Sequence, residues 1–268
     1  MVDVVSILLV YKGVIVAAWL AALFLGERLL PADDNGRGWF GDWRRLGVNL
    51  VLWLVTAGIS FLVVVPLSAW AAAHPLWLRP AWWGGLGGLA LDLLIMDFWI
   101  YWWHRANHRI PFLWRFHEIH HLDEYLDTST ALRFHFGEVL VSALVRGAVI
   151  VALGMPIASV LVFEILIQIG SIFHHSNLRL PRTAERALSW LIITPSLHWV
   201  HHHKIRRDTD STYGTVLSVW DRLFRSRGVT ARHAGMPIGV EGQDEKSLPE
   251  LFVRPFAINR SERQATKD

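Results

Sequence analysis

From Leu46 to Ala73 the chain runs without a charged side chain. That exceeds the about 20 apolar residues a helix needs to cross a bilayer core. Lipid offers no water to satisfy backbone N–H and C=O groups, so such a segment is expected to fold as a membrane helix. Val4–Leu25 is apolar apart from Lys12, and Trp82–Trp103 apart from Asp92 and Asp97. Asp3 precedes the first run where a secretory leader would carry a basic residue, and the run is long for a leader, so it reads as a retained membrane helix. Val139–Phe173 is too long for one crossing at about 1.5 Å per residue against a core of about 30 Å. Gly154-Met155-Pro156 interrupts it, so it reads as a helical hairpin that enters and leaves by one side.

Composition agrees with a membrane class: 53% of residues are hydrophobic, mean hydropathy is +0.32, and there are 15 Trp. The formal charge of +3 carries no basic stripe, and a nucleic-acid partner is not expected. The expected fold is all-α, a polytopic membrane helical bundle with a helical cap that faces the cytoplasm. Residues 1–227 are expected to form the membrane-embedded domain and 228–268 a C-terminal cytoplasmic tail, with one short docked helix near Ser247–Val253. Positive residues set the orientation. Arg28, Arg37, Arg44 and Arg45 separate the first two runs, and Arg105, Arg109 and Arg115 follow the third. Lys204, Arg206, Arg207, Arg222, Arg225 and Arg227 come later, whereas only Arg79 lies between runs two and three. The N-terminus is therefore expected outside, with the first loop and everything after the third run inside. Trp77, Trp82 and Trp83 would anchor the far interface, and Trp102, Trp103 and Trp114 the near one.

On that topology nine histidines reach one membrane face: His104 and His108; His117, His120 and His121; His175; and His198, His201 and His202. Spacings of three and four place imidazoles on one stripe of a helix, at about 100° per residue. The chain has no Cys, so a metal site here is built from nitrogen and oxygen, and imidazole suits iron, zinc and copper. A tetrahedral site takes four ligands, so nine imply two ions in one histidine cage. His203 falls off its stripe, and His174 is turned about 100° from His175. A ligating imidazole needs its other ring nitrogen held from behind. Asp97 and Tyr101 share a stripe with His104 and His108, and Glu164, Gln168 and Ser171 share one with His175. Asp97 alternatively lines a polar cavity, and Glu164 alternatively pairs with Arg146 across the hairpin.

These residues resemble the fatty acid hydroxylase / sterol desaturase superfamily of membrane non-haem di-iron enzymes. The boxes, between residues 97 and 202, read Asp97-Phe-Trp-Ile-Tyr101-Trp-Trp-His104-Arg105-Ala-Asn-His108, Trp114-Arg-Phe-His117-Glu-Ile-His120-His121 and Pro195-Ser-Leu-His198-Trp-Val-His201-His202. Thr130-Ala-Leu-Arg133-Phe-His135, Phe173-His174-His175-Ser176-Asn177, Tyr213-Gly214 and Trp220-Asp221-Arg222-Leu223-Phe224 are similar to further signatures, and the resemblance covers roughly Leu91 to Phe224. Phe136, Leu122 and Thr212 stand where the family often has Pro, Ser and Asn.

The resemblance implies that the nine histidines bind two iron ions and carry catalysis, with Arg133, His135, His174 and Asn177 in support. It also implies O₂ as co-substrate and hydroxylation or desaturation of a C–H bond in a membrane lipid, such as a fatty acyl chain or sterol. Neither a dinucleotide fingerprint nor a haem-attachment motif occurs, so no bound flavin or haem is expected. Electrons are then expected from an external ferredoxin- or cytochrome-type donor with its reductase, docking on the basic rim of Lys204, Arg206 and Arg207. Two other classes use the same residues. A membrane metal-binding or metal-transport protein without oxidase activity would spread its ligands along a path across the bilayer. A bis-histidine haem carrier needs two His per haem and gives a strong Soret band.

Overall fold

The computed structural model describes residues 4–33 and 42–257; Arg37 and residues 258–268 of the expected tail lie outside the described residues. Among the described residues the fold is helical, with isolated bridges in place of strands. Among the described residues five helices are long and apolar enough to cross a membrane. They are α1 (Val4–Leu29), α2 (Trp43–Ala73), α3 (Gly85–Arg109), and the hairpin pair α5 (Phe136–Leu153) and α6 (Ile157–His175). A short helix, α4 (Pro111–His121), follows α3 directly. Five smaller helices complete the cap: α7 (Arg182–Leu188), α8 (Pro195–His201), α9 (Arg206–Thr209), α10 (Val219–Leu223) and α11 (Leu248–Val253).

Local chemistry sets these boundaries. Asp42 caps α2 by accepting from the N–H groups of Arg44 and Arg45. Pro66 inside α2 has no N–H to donate, and the turn before it, Ser60–Val64, widens to a π-helix. Gly154 ends α5 at φ 58, the left-handed conformation that glycine adopts without cost, and Pro156 precedes α6. The hairpin tip meets the loop after α2: Leu76 N donates to Val151 O and Trp77 Nε1 to Ala152 O. Both arms therefore span the bundle. Large apolar side chains such as Val10, Val14, Phe61 and Leu62 stay exposed on α1 and α2, as lipid-facing surface requires.

The two ends of the bundle differ. At the far end Ala71, Met96, Ile150, Met155, Val160 and Phe163 form an apolar core. Asp92, buried in α3, is met there by Arg79, Trp83 and Ser159. At the other end a polar network fixes the cap to the bundle. Arg45, expected as an orienting charge, is instead buried and donates to both Asp123 and Asp127. Asn49 joins Asp123 to Ser129, and Arg133 reaches Asn49 and the Ile119 carbonyl. Burial opposes ionisation of Asp123 and Asp127, but the Arg45 guanidinium overcomes it and holds both below the usual carboxylate range. Residues 228–257 pack on this end. Met236 and Ile238 are buried with Leu126, Trp199 and Val200, and Leu251 of α11 is buried with Leu52, Ile119 and Leu122.

Candidate metal centre

The α3 helix brings His104 and His108 to the cap, α4 brings His117, His120 and His121, α6 ends on His175, and α8 with its C-cap supplies His198, His201 and His202. The fold gathers all nine into two sets. His104, His108, His117, His121 and His201 form a five-histidine set; His120, His175, His198 and His202 form a four-histidine set. Within each, one ligating atom per residue lies within 4.8 Å of all the others. Helical phase explains the division. The i,i+4 pairs 104/108, 117/121 and 198/202 each stay together, about 40° apart, while His120 and His201 sit about 100° from the following residue and turn to the other set. Each of α4 and α8 therefore serves both sets. The sets adjoin where the His121 and His202 rings stack at 4.2 Å.

Contacts behind the rings decide where the protons lie. Nδ1 of His104 meets the Tyr213 carbonyl at 2.9 Å, and that of His201 meets the Ser211 carbonyl at 2.6 Å. Nδ1 of His120 meets the Arg133 carbonyl at 3.1 Å, and that of His175 meets the Ser171 carbonyl at 2.7 Å. A carbonyl only accepts, so these four rings carry hydrogen on Nδ1 and a lone pair on Nε2. Those lone pairs are driven together: Nε2 atoms approach to 3.0 Å between His120 and His175 and to 3.1 Å between His104 and His201. Both ring nitrogens of His108 and of His121, and Nε2 of His117, are buried without a hydrogen-bond partner among the described residues, although His108 Nδ1 faces Asp210 Oδ1 at 3.5 Å. Burial, and then neighbouring imidazoles, hold His120, His121, His198, His201 and His202 well below the usual imidazole range, so extra protons do not relieve the repulsion. A cation among the Nε2 atoms of each set does, and the all-nitrogen donor set fits a transition metal in both.

Of the residues that share a stripe with a histidine, Ser171 reaches its histidine, and the others take different roles. Asp97 reaches no histidine; it accepts from Trp220 Nε1 at 2.8 Å and Leu217 N at 3.2 Å. Tyr101 bonds Ser226 Oγ at 2.8 Å. Both hold the segment 213–226 against α3, and that segment carries the Tyr213 carbonyl to His104. Glu164 takes its alternative role, paired with Arg146 at 3.1 Å and also with Lys12. Among the described residues no hydrogen bond joins Gln168 to a histidine. Arg133 acts through its carbonyl on His120. His135 caps α5 by accepting from Gly137 N at 3.0 Å, with Nε2 facing the Phe252 carbonyl. Asn177 bonds Glu27, Asp33 and Tyr125, fixing the end of α1. His174 lies outside both sets with its ring 3.9 Å from that of His198, and His203 pairs with Asp208 at 2.8 Å.

Three supports carry little sequence signal. Glu138, in the first turn of α5, holds His117 Nδ1 at 2.9 Å; a lone carboxylate opening an apolar helix was its only mark. The carbonyls of Ser211 and Tyr213 flank Thr212, whose φ of 54 is left-handed and strained for a β-branched residue. That single reversal turns both carbonyls toward histidines. Asp221 then pins the loop, accepting from Tyr213 N at 2.7 Å and Gly214 N at 2.8 Å. A Cβ at Gly214 would lie 2.7 Å from Asp221 Oδ2, which excludes any larger residue there.

The model of the fatty acid hydroxylase family matches residues 89–226. An ornithine lipid hydroxylase from Rhizobium tropici is 26% identical over 259 residues, covering 93% of this chain and 76% of its own length. An alkylglycerol monooxygenase from Caenorhabditis elegans is 29% identical over 198 residues, covering 74% of this chain but only 37% of its own length. A cholesterol 25-hydroxylase-like protein from Danio rerio is 28% identical over 193 residues, covering 69% and 72%. No solved structure matches.

Proposed function

Because the chain belongs to the fatty acid hydroxylase family, we propose that it is a multi-pass membrane oxygenase that hydroxylates a C–H bond of a membrane lipid with O₂. The observation that carries this reading is the pair of histidine sets whose buried lone pairs converge at the ends of membrane-spanning helices. The relatives' names favour hydroxylation over desaturation, and they favour a lipid with a polar head and an alkyl chain.

His104, His108, His117, His121 and His201 would hold one iron ion, and His120, His175, His198 and His202 a second. Such a pair, when bound, supplies O₂ activation and the oxidising power for an unactivated C–H bond. The chain's own part is positioning. Backbone carbonyls fix the tautomers of His104, His120, His175 and His201, so the Nε2 of these four is ready as a ligand without reorganisation. Glu138 accepts from His117 Nδ1 and makes that ring a stronger donor. Burial of the rings keeps bulk water from the oxidising site. With the positive residues as guide, the cap faces the cytoplasm and an external ferredoxin- or cytochrome-type donor supplies electrons there.

The test is comparative lipidomics of membranes that express the wild type or His120→Ala, with iron analysis of both purified proteins. A hydroxylated lipid is expected only with the wild type, at two irons per chain. Purified protein that holds two irons, accepts electrons and oxidises no lipid in a membrane extract would end the proposal.

A further inference from the structure

Beside the five-histidine set, a recessed pocket of about 200 Å³ is lined by Arg105, Arg109, Arg207, Arg225, Arg227 and Tyr213. Two carboxylates, Asp208 and Asp210, face these five guanidinium groups, and both have other partners. Asp210 pairs with Arg206 outside the pocket at 2.9 Å, and Asp208 bonds His203 and Thr230, with Arg207 Nε at 3.5 Å. Among the described residues neither Arg225 nor Arg227 forms an ion pair. Arg225 is held at φ 53, a conformation that costs a non-glycine residue energy and is kept where the surroundings enforce it.

The pocket continues a stripe on α3. Leu94, Phe98, Trp102, Arg105 and Arg109 recur at spacings of four, four, three and four, so they lie on one face. The first three are exposed apolar side chains of a membrane-spanning helix. Arg105 sits 5.2 Å from the Trp102 ring and 5.8 Å from that of Tyr213. The face thus passes within two turns from alkyl-binding surface, through an interfacial tryptophan, to a cluster of guanidinium groups. That is the order of chain, interface and phosphate in a phospholipid. Guanidinium forks match phosphate oxygens, and a recess of this size takes a headgroup, whereas a protein partner needs roughly 800 Å² of surface on each side.

We propose that this pocket seats the phosphate of an anionic phospholipid of the histidine-side leaflet, with an acyl chain along Leu94, Phe98 and Trp102. Dansyl-labelled phosphatidylglycerol or phosphatidylcholine is titrated into the full-length protein in detergent, with energy transfer from tryptophan as readout. Phosphatidylglycerol is expected to bind more tightly and to weaken with salt. Arg207→Gln/Arg225→Gln, both at exposed side chains, is expected to weaken phosphatidylglycerol by about tenfold or more and leave phosphatidylcholine unchanged. Arg182→Gln/Arg186→Gln, on the exposed face of α7, removes the same charge elsewhere and is expected to change neither. Arg207→Lys/Arg225→Lys keeps charge and is expected to retain the preference for phosphatidylglycerol, which shows that the pocket has folded.

Equal binding of the two lipids by the wild type overturns the proposal, and so does equal loss in the two glutamine variants. Displacement of the lipid by equimolar glycerol 3-phosphate assigns the pocket to free phosphate instead. Retained lipid binding, with loss of binding to an acidic [2Fe–2S] ferredoxin, assigns it to a protein partner. The assay reads no turnover, so its failure leaves the hydroxylase reading untouched.

Discussion

The two histidine sets hold their ligands by different means. In the four-histidine set two rings are anchored, both from within 13 residues. His175 is held by the carbonyl four residues earlier in its own helix, and His120 by Arg133 at the close of the turn after α4. In the five-histidine set only His201 has an anchor as near, and those of His104 and His117 come from afar. His104 and His201 lean on the loop at 211–213, and that loop is itself held by Asp221 and by its strained Thr212. His117 leans on a carboxylate from α5. One helix and the close of a 3-10 segment secure two rings of one site; a folded loop and a second helix secure three of the other. Damage to the loop is therefore expected to reach one metal and spare its neighbour.

Removing ligands tests this most severely. His120→Ala leaves three imidazoles in its set, whereas His108→Ala leaves four in the other. His120→Ala is expected to lower iron from two per chain to about one and to abolish turnover. His108→Ala is expected to retain two irons with weaker binding. Iron content by mass spectrometry of purified protein decides it. Equal loss of both irons in both variants would show that the sets fold as one site.

Next in size is Arg45→Met. Removing one partner from a buried ion network leaves uncompensated charge and is expected to cost on the order of 3–5 kcal/mol. The sign of the pH dependence follows from Asp123 and Asp127, whose pKa values are depressed below the ordinary aspartate value of 3.8. Their pairing stabilises the fold fully above that value and is lost as pH falls through the lower folded values. The gap in Tm between wild type and variant is therefore expected to be wide from neutral pH down to about pH 4 and to narrow only below it. The network also fixes the segment that presents the Arg133 carbonyl, so iron should leave the four-histidine set first. A gap that widens in acid would sink the assignment.

A milder change separates the sets from the other side. Glu138→Gln keeps an acceptor near His117 but removes its charge. Iron affinity of the five-histidine set is expected to fall about 10–100-fold, with the four-histidine set unchanged. Chelator titration that resolves two release steps would show one shifted and one fixed. Two steps that shift together would mean that the carboxylate acts on the cap as a whole.

The difference between the sets also marks where the sequence stopped being legible. The spans were readable because lipid demands an unbroken apolar helix, and Gly154-Met155-Pro156 interrupts one in a single place. The ligands were readable because i,i+4 spacing fixes a face. The supports were not, for two reasons. A stripe gives direction around a helix but not height along it: Asp97 lies seven residues from His104, about 10 Å up the same face, and meets Trp220 instead. Glu164 is farther still from His175 and closes an ion pair with Arg146. The real supports are mostly carbonyls, and a carbonyl has no letter in a sequence. Only their consequences show, as at Gly214, where a Cβ has no room.

Thr212 is the smallest lever and bears on the same contrast. Its φ of 54 lets the Ser211 and Tyr213 carbonyls point to His201 and His104, and its Oγ1 accepts from Gly228 N at 3.0 Å. A left-handed residue other than glycine costs roughly 1–2 kcal/mol, and asparagine tolerates the region best among the rest. Asn also offers an oxygen to Gly228, and the family often has Asn here. Thr212→Asn is therefore expected to raise Tm by roughly 2 °C with both irons kept. Thr212→Val keeps the strain and loses the acceptor, so it should lower Tm and loosen only the five-histidine set. If Thr212→Asn instead weakens that set, the strain is what presses the carbonyls onto the histidines, and relieving it costs metal.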